Sequence, residues 1–268
     1  MNSSLLKTFG LFLLLVVVIA LTSFSIFKSP GSSGITKEEV ESVVAEYIQN
    51  NPQAILDSVN KHQQNSAAEE GKKAQENITQ KQKEIENDPT SPMAGNPKGD
   101  VVIVEFFDYS CGYCKNVFPT IEKLLEEDKN IKIVFKELPI LGPNSELAAK
   151  AGLAVNMIAP GKYFEFHKKL MIGRTGGQES INAIAKELGI DTAALEEKMK
   201  SPEIEKTIMA DKEMAASIGI RGTPAFIVGG ELVPGAIDYE AFKGLIAKAR
   251  GGKAVDSKEG AAPEMLQP

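Results

Sequence analysis

The chain has 268 residues, and its content of 43% hydrophobic and 25% charged residues is that of an ordinary globular protein. That length is enough for one large domain or two small ones. The formal net charge of −6 at pH 7 argues against a nucleic-acid-binding surface, because contacts with phosphates need a basic patch.

The amino-terminal segment, residues 1–27, is mostly apolar. Lys7 is followed by a nearly uninterrupted apolar run over 9–20, which continues with few polar residues to Phe27. A charged start before an apolar stretch is typical of a secretory signal peptide. Residues 9–27 are also long enough to cross a bilayer of roughly 30 Å as a helical membrane anchor. Both alternatives predict export of the rest of the chain to the periplasm or cell envelope, where disulfides can form.

Residues 28–90 are predicted to form a helical oligomerisation region and linker. Thr36 and Glu39 have the spacing of a capping box, so a helix is expected to begin there, and Pro52 restarts it. One apolar stripe runs along both helices: Val40, Val43, Val44, Tyr47, Ile48, Ile55, Leu56 and Val59. The stripe is too small to form a core alone, so it must pack on the main domain or on a copy of itself. The polar residues 60–88 suit a solvated linker or a stalk, and the stripe favours the stalk.

The region from residue 91 to 250 alternates between strand-like and helical patterns. Two apolar stretches separated by helix-forming sequence predict a βαβ unit with parallel strands. The predicted elements are a strand at 101–107, a helix at 111–128, a strand at 131–136, helices across 144–218, strands at 225–228 and 231–233, and a helix at 239–249. The polar residues 251–268, which include Pro and Gly, are predicted to be a disordered tail.

Cys111 and Cys114 are the only cysteines, and they lie where the first predicted strand turns into a helix. Their spacing of three brings both sulfurs to one face of the helix start. The positive end of the helix dipole favours the thiolate, which is the form that attacks disulfides. No metal or cofactor is expected, because a structural zinc usually needs four ligands and His62 and His167 are distant in sequence. His167 is expected to be an ordinary residue of its helix.

Several residues together resemble the thioredoxin superfamily, and more narrowly the bacterial DsbA-like proteins. They are the Cys111-Gly112-Tyr113-Cys114 run, Pro119 inside the following helix, Glu105 on the preceding strand, and the Gly222-Thr223-Pro224-Ala225-Phe226 run. The resemblance covers roughly residues 92–249. It implies an α/β thioredoxin fold with a helical domain inserted at about 143–218, preceded by the amino-terminal helical stalk.

The resemblance implies roles for residues around the cysteines. Cys111 is the nucleophile, and Cys114 resolves the mixed disulfide. A buried acid at the position of Glu105 serves proton transfer to and from the second cysteine, and alternation along the strand places it on the opposite face from Val104. Lys136 matches the position of a lysine that pairs with this acid. The alternative for Glu105 and Lys136 is an ion pair at the strand edge, which contributes little stability.

In this superfamily the proline that matches Pro224 is cis and lies against the disulfide. A cis proline leaves the backbone of the preceding residue free to pair with an extended substrate, so Thr223 is expected to contact the peptide. Gly112 and Tyr113 are expected to set the redox character, because strongly oxidising DsbA proteins carry Pro-His between their cysteines. The Cys-Gly-Tyr-Cys run and the threonine before the proline are similar to those of DsbC-type disulfide isomerases, which are oligomers.

The sequence therefore predicts an exported thiol–disulfide oxidoreductase that isomerises or reduces protein disulfides as a homo-oligomer. Its expected partners are cysteine-containing exported proteins and a membrane redox partner, either a reductase or an oxidase. The amino-terminal layout is similar to that of ScsC-like proteins. Two alternatives stay open: a DsbA-type disulfide oxidase, and a non-enzymatic envelope protein that acts as a holdase or binds copper through its thiols.

Overall fold

The computed structural model describes residues 36–173 and 177–251. The predictions of a signal or anchor at residues 1–27 and of a tail beyond Gly251 lie outside the described residues. Among the residues that are described, no helix is both long enough and apolar enough to cross a membrane. The chain divides after Asn65 into two compact units, of which the second contains both cysteines.

The first unit consists of helix α1 (Lys37–Asn50) and the first turns of the long helix α2 (Pro52–Glu86). The predicted capping box is present, since the Glu39 N–H donates to Thr36 Oγ1 (3.2 Å) and the Thr36 N–H donates to the Glu39 carboxylate (2.9 Å). Pro52 occupies the first position of α2, where no helical partner for an N–H is needed. Both helices carry the predicted apolar stripe, and all of its side chains are exposed.

Five strands form a mixed sheet in the second unit: β1 (Met93–Gly95), β2 (Val101–Phe107), β3 (Ile131–Glu137), β4 (Ala225–Val228) and β5 (Glu231–Pro234). Their order across the sheet is β1-β3-β2-β4-β5. β2 and β3 are parallel, which confirms the predicted βαβ unit, and β4 and β5 form the predicted hairpin. The sequence does not predict β1, because only one of its three side chains is buried and no apolar pattern marks it.

Helices cover the sheet and form the insertion: α3 (Gly112–Glu127), α4 (Pro143–Ile158), α5 (Tyr163–Ile172), α6 (Gln178–Glu187), α7 (Thr192–Met199), α8 (Pro202–Ser217) and α9 (Tyr239–Ala249). Helices α4 to α8 lie between β3 and β4 in the chain, where the helical insertion is predicted. The main core joins one sheet face to α3 and to the insertion, with Phe107, Phe118, Phe135 and Phe166 fully buried in it. The fold is therefore the expected thioredoxin fold with an inserted helical domain.

The second part of α2 and the end of α8 cover the opposite face of the sheet. The side-chain amide of Asn77 donates to the Ser217 carbonyl (2.6 Å), and the Lys81 ammonium donates to the Ser217 hydroxyl (3.0 Å). Ile78 and Ile85 of α2 are both fully buried. They join a second core cluster that includes Val104, Phe106, Val134, Ile218 and Ile227.

The compact unit that contains the sheet begins at Ser66 and so includes the second part of α2. The predicted start of the thioredoxin domain at residue 91 stays a prediction. In the sequence, Ile78 and Ile85 look isolated within a polar helix, because the strand residues that they contact lie far away in the chain. Residues 66–86 thus belong to the compact unit that contains the sheet, and Ile78 and Ile85 are part of its core.

We expect Ile78→Ala to lower the free energy of unfolding of the second unit by about 2–5 kcal/mol, because it leaves a cavity at a fully buried position. Urea unfolding followed by circular dichroism measures the change. Gln80→Ala, on the exposed side of the same helix, is the control, and its expected change is within about 0.5 kcal/mol. Equal stability of the two variants would contradict the packing of α2 on the sheet.

Candidate active site

The two cysteines lie at the junction of β2 and α3, as the sequence predicts. Cys111 is the N-cap residue of α3, and Cys114 lies in its first turn. The Cys111 N–H donates to the carbonyl of Asp108 (3.0 Å), and the Ser110 N–H donates to the Asp108 carboxylate (2.7 Å). Both thiols are free, so the structure corresponds to the reduced protein.

The second carboxylate oxygen of Asp108 holds a neighbouring loop. It accepts the N–H groups of Ile140 (2.9 Å) and Leu141 (3.1 Å), which lie between β3 and α4. Both of these apolar side chains are exposed. One buried carboxylate therefore fixes an exposed apolar rim to the turn that leads to Cys111.

The hydrogen bonds around the Cys111 sulfur favour its thiolate form. The thiol of Cys114 donates to its sulfur, and hydrogen bonds from the Thr223 side chain and from the N–H groups of Cys114 and Tyr113 add to this contact. Together they lower the pKa of Cys111 to about 5 despite its partial burial. An ordinary cysteine is mostly protonated at neutral pH, whereas a thiol with this pKa is almost fully ionised. Of the two cysteines, Cys111 is therefore the one whose thiolate form is populated at neutral pH.

Cys114 is held in the opposite protonation state. Its side chain is fully buried, and burial raises its pKa far above the ordinary value of a cysteine. The hydrogen bond to Cys111 and the charge of Glu105 raise it further. Cys114 is therefore a neutral thiol that becomes reactive when a nearby base removes its proton.

The predicted substrate-contacting residues surround Cys111. The Thr223–Pro224 peptide bond is cis, as predicted, and the Thr223 carbonyl oxygen lies 3.2 Å from Cys111 Sγ. Gly112 and Tyr113 follow Cys111 on the exposed side of α3. The four residues therefore lie close to the Cys111 sulfur in the fold, and their contact with a substrate stays a prediction.

Glu105 lies on β2, on the sheet face that carries the main core, and it is 1% exposed. Val104 belongs to the cluster on the other face, as alternation predicts. Burial raises the pKa of Glu105 to about 8, and the charge of Cys111 adds to the shift. An acid with this pKa exchanges its proton close to neutral pH, so Glu105 is suited to accept the proton of Cys114.

The predicted pairing of Lys136 with Glu105 is wrong. In the parallel register of β2 and β3, Glu105 lies beside Phe135, and Lys136 lies beside Phe106. Because side chains alternate along a strand, Lys136 points to the opposite face of the sheet from Glu105. The register between the two strands decides this, and one residue of difference reverses the face.

Lys136 instead forms a buried ion-pair network. Its ammonium contacts the carboxylate of Asp88, which follows α2, and that of Asp211 on α8 (3.0 Å). Burial raises the pKa of Asp211 to about 6 against the effect of Lys136. Burial also acts on Asp88, but hydrogen bonds from Lys136 and Thr90 outweigh it and lower the pKa of Asp88 to about 2. The network joins three chain segments and has no contact with the cysteines.

Three buried polar residues on the Glu105 face of the sheet are not apparent from the sequence. Tyr109, Glu137 and His167 are each at most 1% exposed, and the Tyr109 hydroxyl lies 2.9 Å from His167 Nδ1. Burial lowers the pKa of His167 to about 3, so its imidazole is neutral. His167 is thus not an ordinary helix residue. One signal was present in the sequence: strand alternation places Glu137 on the same face as Phe135.

Comparisons with known proteins agree with this arrangement. A family model described as a DSBA-like thioredoxin domain matches residues 102–247. Disulfide bond formation protein D of Bacillus subtilis is 27% identical over 173 residues, which cover 60% of this chain and 78% of that protein. A thioredoxin-like oxidoreductase from Silicibacter pomeroyi is 39% identical, with a TM-score of 0.60, over 64% of this chain and 98% of the solved one. Proteus mirabilis ScsC in a transitional conformation is 28% identical, with a TM-score of 0.61, over 80% of this chain and 97% of the solved one.

We expect Cys114→Ala to raise the pKa of Cys111 by about 1 unit or more, because it removes the thiol that donates to the Cys111 sulfur. Cys114→Ser keeps a donor at this position and should retain more of the shift. The ultraviolet absorbance of the thiolate, followed against pH, measures the pKa in each variant. An unchanged pKa in Cys114→Ala would contradict the leading role of this hydrogen bond.

Glu105→Gln is expected to stabilise the protein increasingly as the pH rises from 4.5 to about 8. In this range the unfolded chain releases the Glu105 proton while the folded protein retains it, so the wild-type protein loses stability that glutamine does not lose. The advantage of the variant should grow by about 3–5 kcal/mol across the range. Urea unfolding at both ends of the range measures it, and the exposed Glu126→Gln is the control. A pH-independent difference would mean that Glu105 is ionised in the fold.

Proposed function

The chain belongs to the family of DsbA-like thioredoxin domains, and from this premise we propose that it is an exported disulfide isomerase or reductase. The observation that carries the proposal is the unequal acidity of two thiols within one helical turn. A thiolate at Cys111 captures a substrate disulfide, and a neutral thiol at Cys114 stays ready to release it. The apolar segment at residues 1–27 supports export to the periplasm or cell envelope.

Exchange begins when the Cys111 thiolate attacks one sulfur of a substrate disulfide. A bond forms between Cys111 Sγ and that sulfur, and the other substrate sulfur leaves as a thiolate. In isomerisation, a different substrate thiolate attacks the captured sulfur, forms a new substrate disulfide and releases Cys111 as a thiolate. No electrons are transferred overall, so the cycle needs no further reagent.

Reduction follows the same capture but uses Cys114 for release. The Glu105 carboxylate takes the proton of Cys114, and the resulting thiolate attacks Cys111 Sγ. The captured substrate sulfur leaves as a thiolate, and a Cys111–Cys114 disulfide forms. The substrate has gained two electrons, and a membrane redox partner of the protein returns two electrons to the cysteines.

The proposed substrates are extended, cysteine-containing segments of exported proteins. A groove is lined in part by Gly222, Thr223 and Pro224, and the carbonyl oxygen of Thr223 lies 3.2 Å from Cys111 Sγ. The Gly-Tyr dipeptide between the cysteines carries no positive charge, whereas the Pro-His of strongly oxidising relatives can. This difference supports a milder oxidant, which suits the rearrangement of incorrect disulfides.

A DsbA-type oxidase is the second candidate, and one observation favours it. The pKa of Cys111, at about 5, stabilises the reduced form of the pair and so increases its oxidising power. The reduction potential separates the two candidates. A value well above about −200 mV favours the oxidase, and a value near that of thioredoxin excludes it.

We further propose that copies of this chain cover the apolar stripe of α1 and of the first turns of α2. The stripe is exposed over its whole length, and exposed apolar patches of this kind mark interaction surfaces. The similarity to ScsC supports an amino-terminal extension of this type, because it covers more of the chain than the family model does.

The reduced protein is expected to restore the activity of ribonuclease with scrambled disulfides. Cys111→Ser should abolish this recovery, because no other cysteine in the chain is ionised for the first attack. Cys114→Ser should retain part of it, since isomerisation needs only the Cys111 thiolate. Recovery no better than in buffer would reject the isomerase.

A chain that begins at residue 29 should have a multiple of the monomer mass in light scattering, and a chain that begins at Ser66 should be a folded monomer. The chain that begins at Ser66 lacks the apolar stripe but keeps Ile78 and Ile85, which pack on the sheet. Val43→Glu within the longer chain is the point test, because it places a charge in the stripe. A monomeric longer chain would contradict self-association.

A further inference from the structure

The turn between β2 and α3, residues 108–111, is called the cysteine turn. A group of buried polar residues that disulfide exchange does not use lies next to it. This Tyr109 cluster consists of Tyr109, Glu137, Tyr163 and His167, each at most 1% exposed. Tyr109 belongs to the turn between β2 and α3, Glu137 ends β3, and Tyr163 and His167 lie on α5 of the insertion. Three separate parts of the fold therefore meet at this cluster.

The Tyr109 hydroxyl lies at the centre of the cluster. It is 2.9 Å from His167 Nδ1, while the Tyr163 hydroxyl is 3.4 Å from the same nitrogen. Gly152 on α4 leaves space for it: a Cβ there would lie 2.8 Å from the Tyr109 hydroxyl and 2.9 Å from Glu137 Oε1. The glycine thus permits the Tyr109 hydroxyl and the Glu137 carboxyl to face each other.

The cluster is uncharged. Burial lowers the pKa of His167 to about 3. Burial, followed by the carboxylates of Asp211 and Asp108, raises the pKa of Glu137 well above its ordinary value, and the contact with Tyr109 opposes them only in part. Within the described residues, no cation pairs with Glu137. The contacts within the Tyr109 cluster therefore fix the positions of its side chains and place no charge near the Cys111 thiolate.

Tyr109 is well placed to control the geometry at Cys111. It follows Asp108, whose carbonyl accepts the Cys111 N–H, and it precedes Ser110, whose N–H is bound by the Asp108 carboxylate. The ionisable groups that face Cys111 are Cys114 on α3 and Glu105 on β2. The Cys111 thiolate depends on hydrogen bonds from Thr223 and from the first turn of α3, so a displaced turn would weaken them.

We propose that Tyr109 is a positioning residue for Cys111, and that the contacts of its hydroxyl with Glu137 and His167 hold the turn in which the thiolate is stabilised. The insertion thereby adjusts the reactivity of a nucleophile that lies outside it. This inference rests on the proposed role of Cys111 as the reactive thiol. Its test follows the titration of that thiol and does not depend on isomerase activity.

The test compares two tyrosines whose hydroxyls face the same imidazole nitrogen. Tyr109→Phe is expected to raise the titration midpoint of Cys111 by about 0.5–1 pH unit, and to slow alkylation about 2- to 5-fold at the wild-type midpoint. Tyr163→Phe removes a neighbour that hydrogen-bonds the Tyr109 hydroxyl but leaves that hydroxyl and its contacts with Glu137 and His167 in place, so its midpoint should shift by less than half as much. Thiolate absorbance against pH, with the unfolding free energy of each variant, gives both readouts.

Glu137 supplies a second pair of variants in case Tyr109→Phe does not fold. Glu137→Leu removes the partner of the hydroxyl and should shift the midpoint as Tyr109→Phe does, whereas Glu137→Gln keeps a hydrogen-bonding group and should restore it. Unchanged midpoints in Tyr109→Phe and Glu137→Leu would overturn the inference, as would an equal shift in Tyr163→Phe. A wild-type midpoint near that of free cysteine would instead overturn the proposed function.

Discussion

A hydrogen bond between two sulfurs gives the two cysteines of this protein different chemistry. Cys114 can donate to Cys111 only while it keeps its own proton, and burial in the main core makes that proton hard to lose. The same hydrogen bond therefore lowers the pKa of Cys111 and raises the pKa of Cys114. The strand-to-helix junction, the Thr223–Pro224 loop and Glu105 all act on this pair, so the rest of the site depends on it.

The arrangement of charge around the pair follows from burial. Glu105 and Glu137 lie on the core face of the sheet, where no cation of residues 36–173 or 177–251 pairs with them, and both have raised pKa values. On the other face, Lys136 compensates the buried carboxylate of Asp211 and the half-buried carboxylate of Asp88. The two acids on the core face thus favour their protonated forms near neutral pH, while the acids on the other face are paired with Lys136.

Local patterns in the sequence predict most of the fold and the centre of the site. The apolar run before Cys111, the spacing of the cysteines and the Thr223–Pro224 motif act within a few residues, and the structure contains each of them as expected. Features that depend on distant partners are not visible in one sequence. The face of the sheet on which Lys136 lies depends on the register between β2 and β3. Ile78 is buried only because α2 packs on the sheet, and His167 contacts Tyr109, which lies far away in the chain.

Asp108 has a consequence for how a substrate is captured. Its carboxylate binds N–H groups of the cysteine turn and of the Ile140–Leu141 loop at once, so the apolar rim beside the nucleophile is assembled before any peptide arrives. A site whose walls are already ordered loses little configurational entropy on binding. For the proposed exchange, weak contacts with many unrelated unfolded chains would then be enough for productive encounters, which favours breadth of substrate over tight recognition of one.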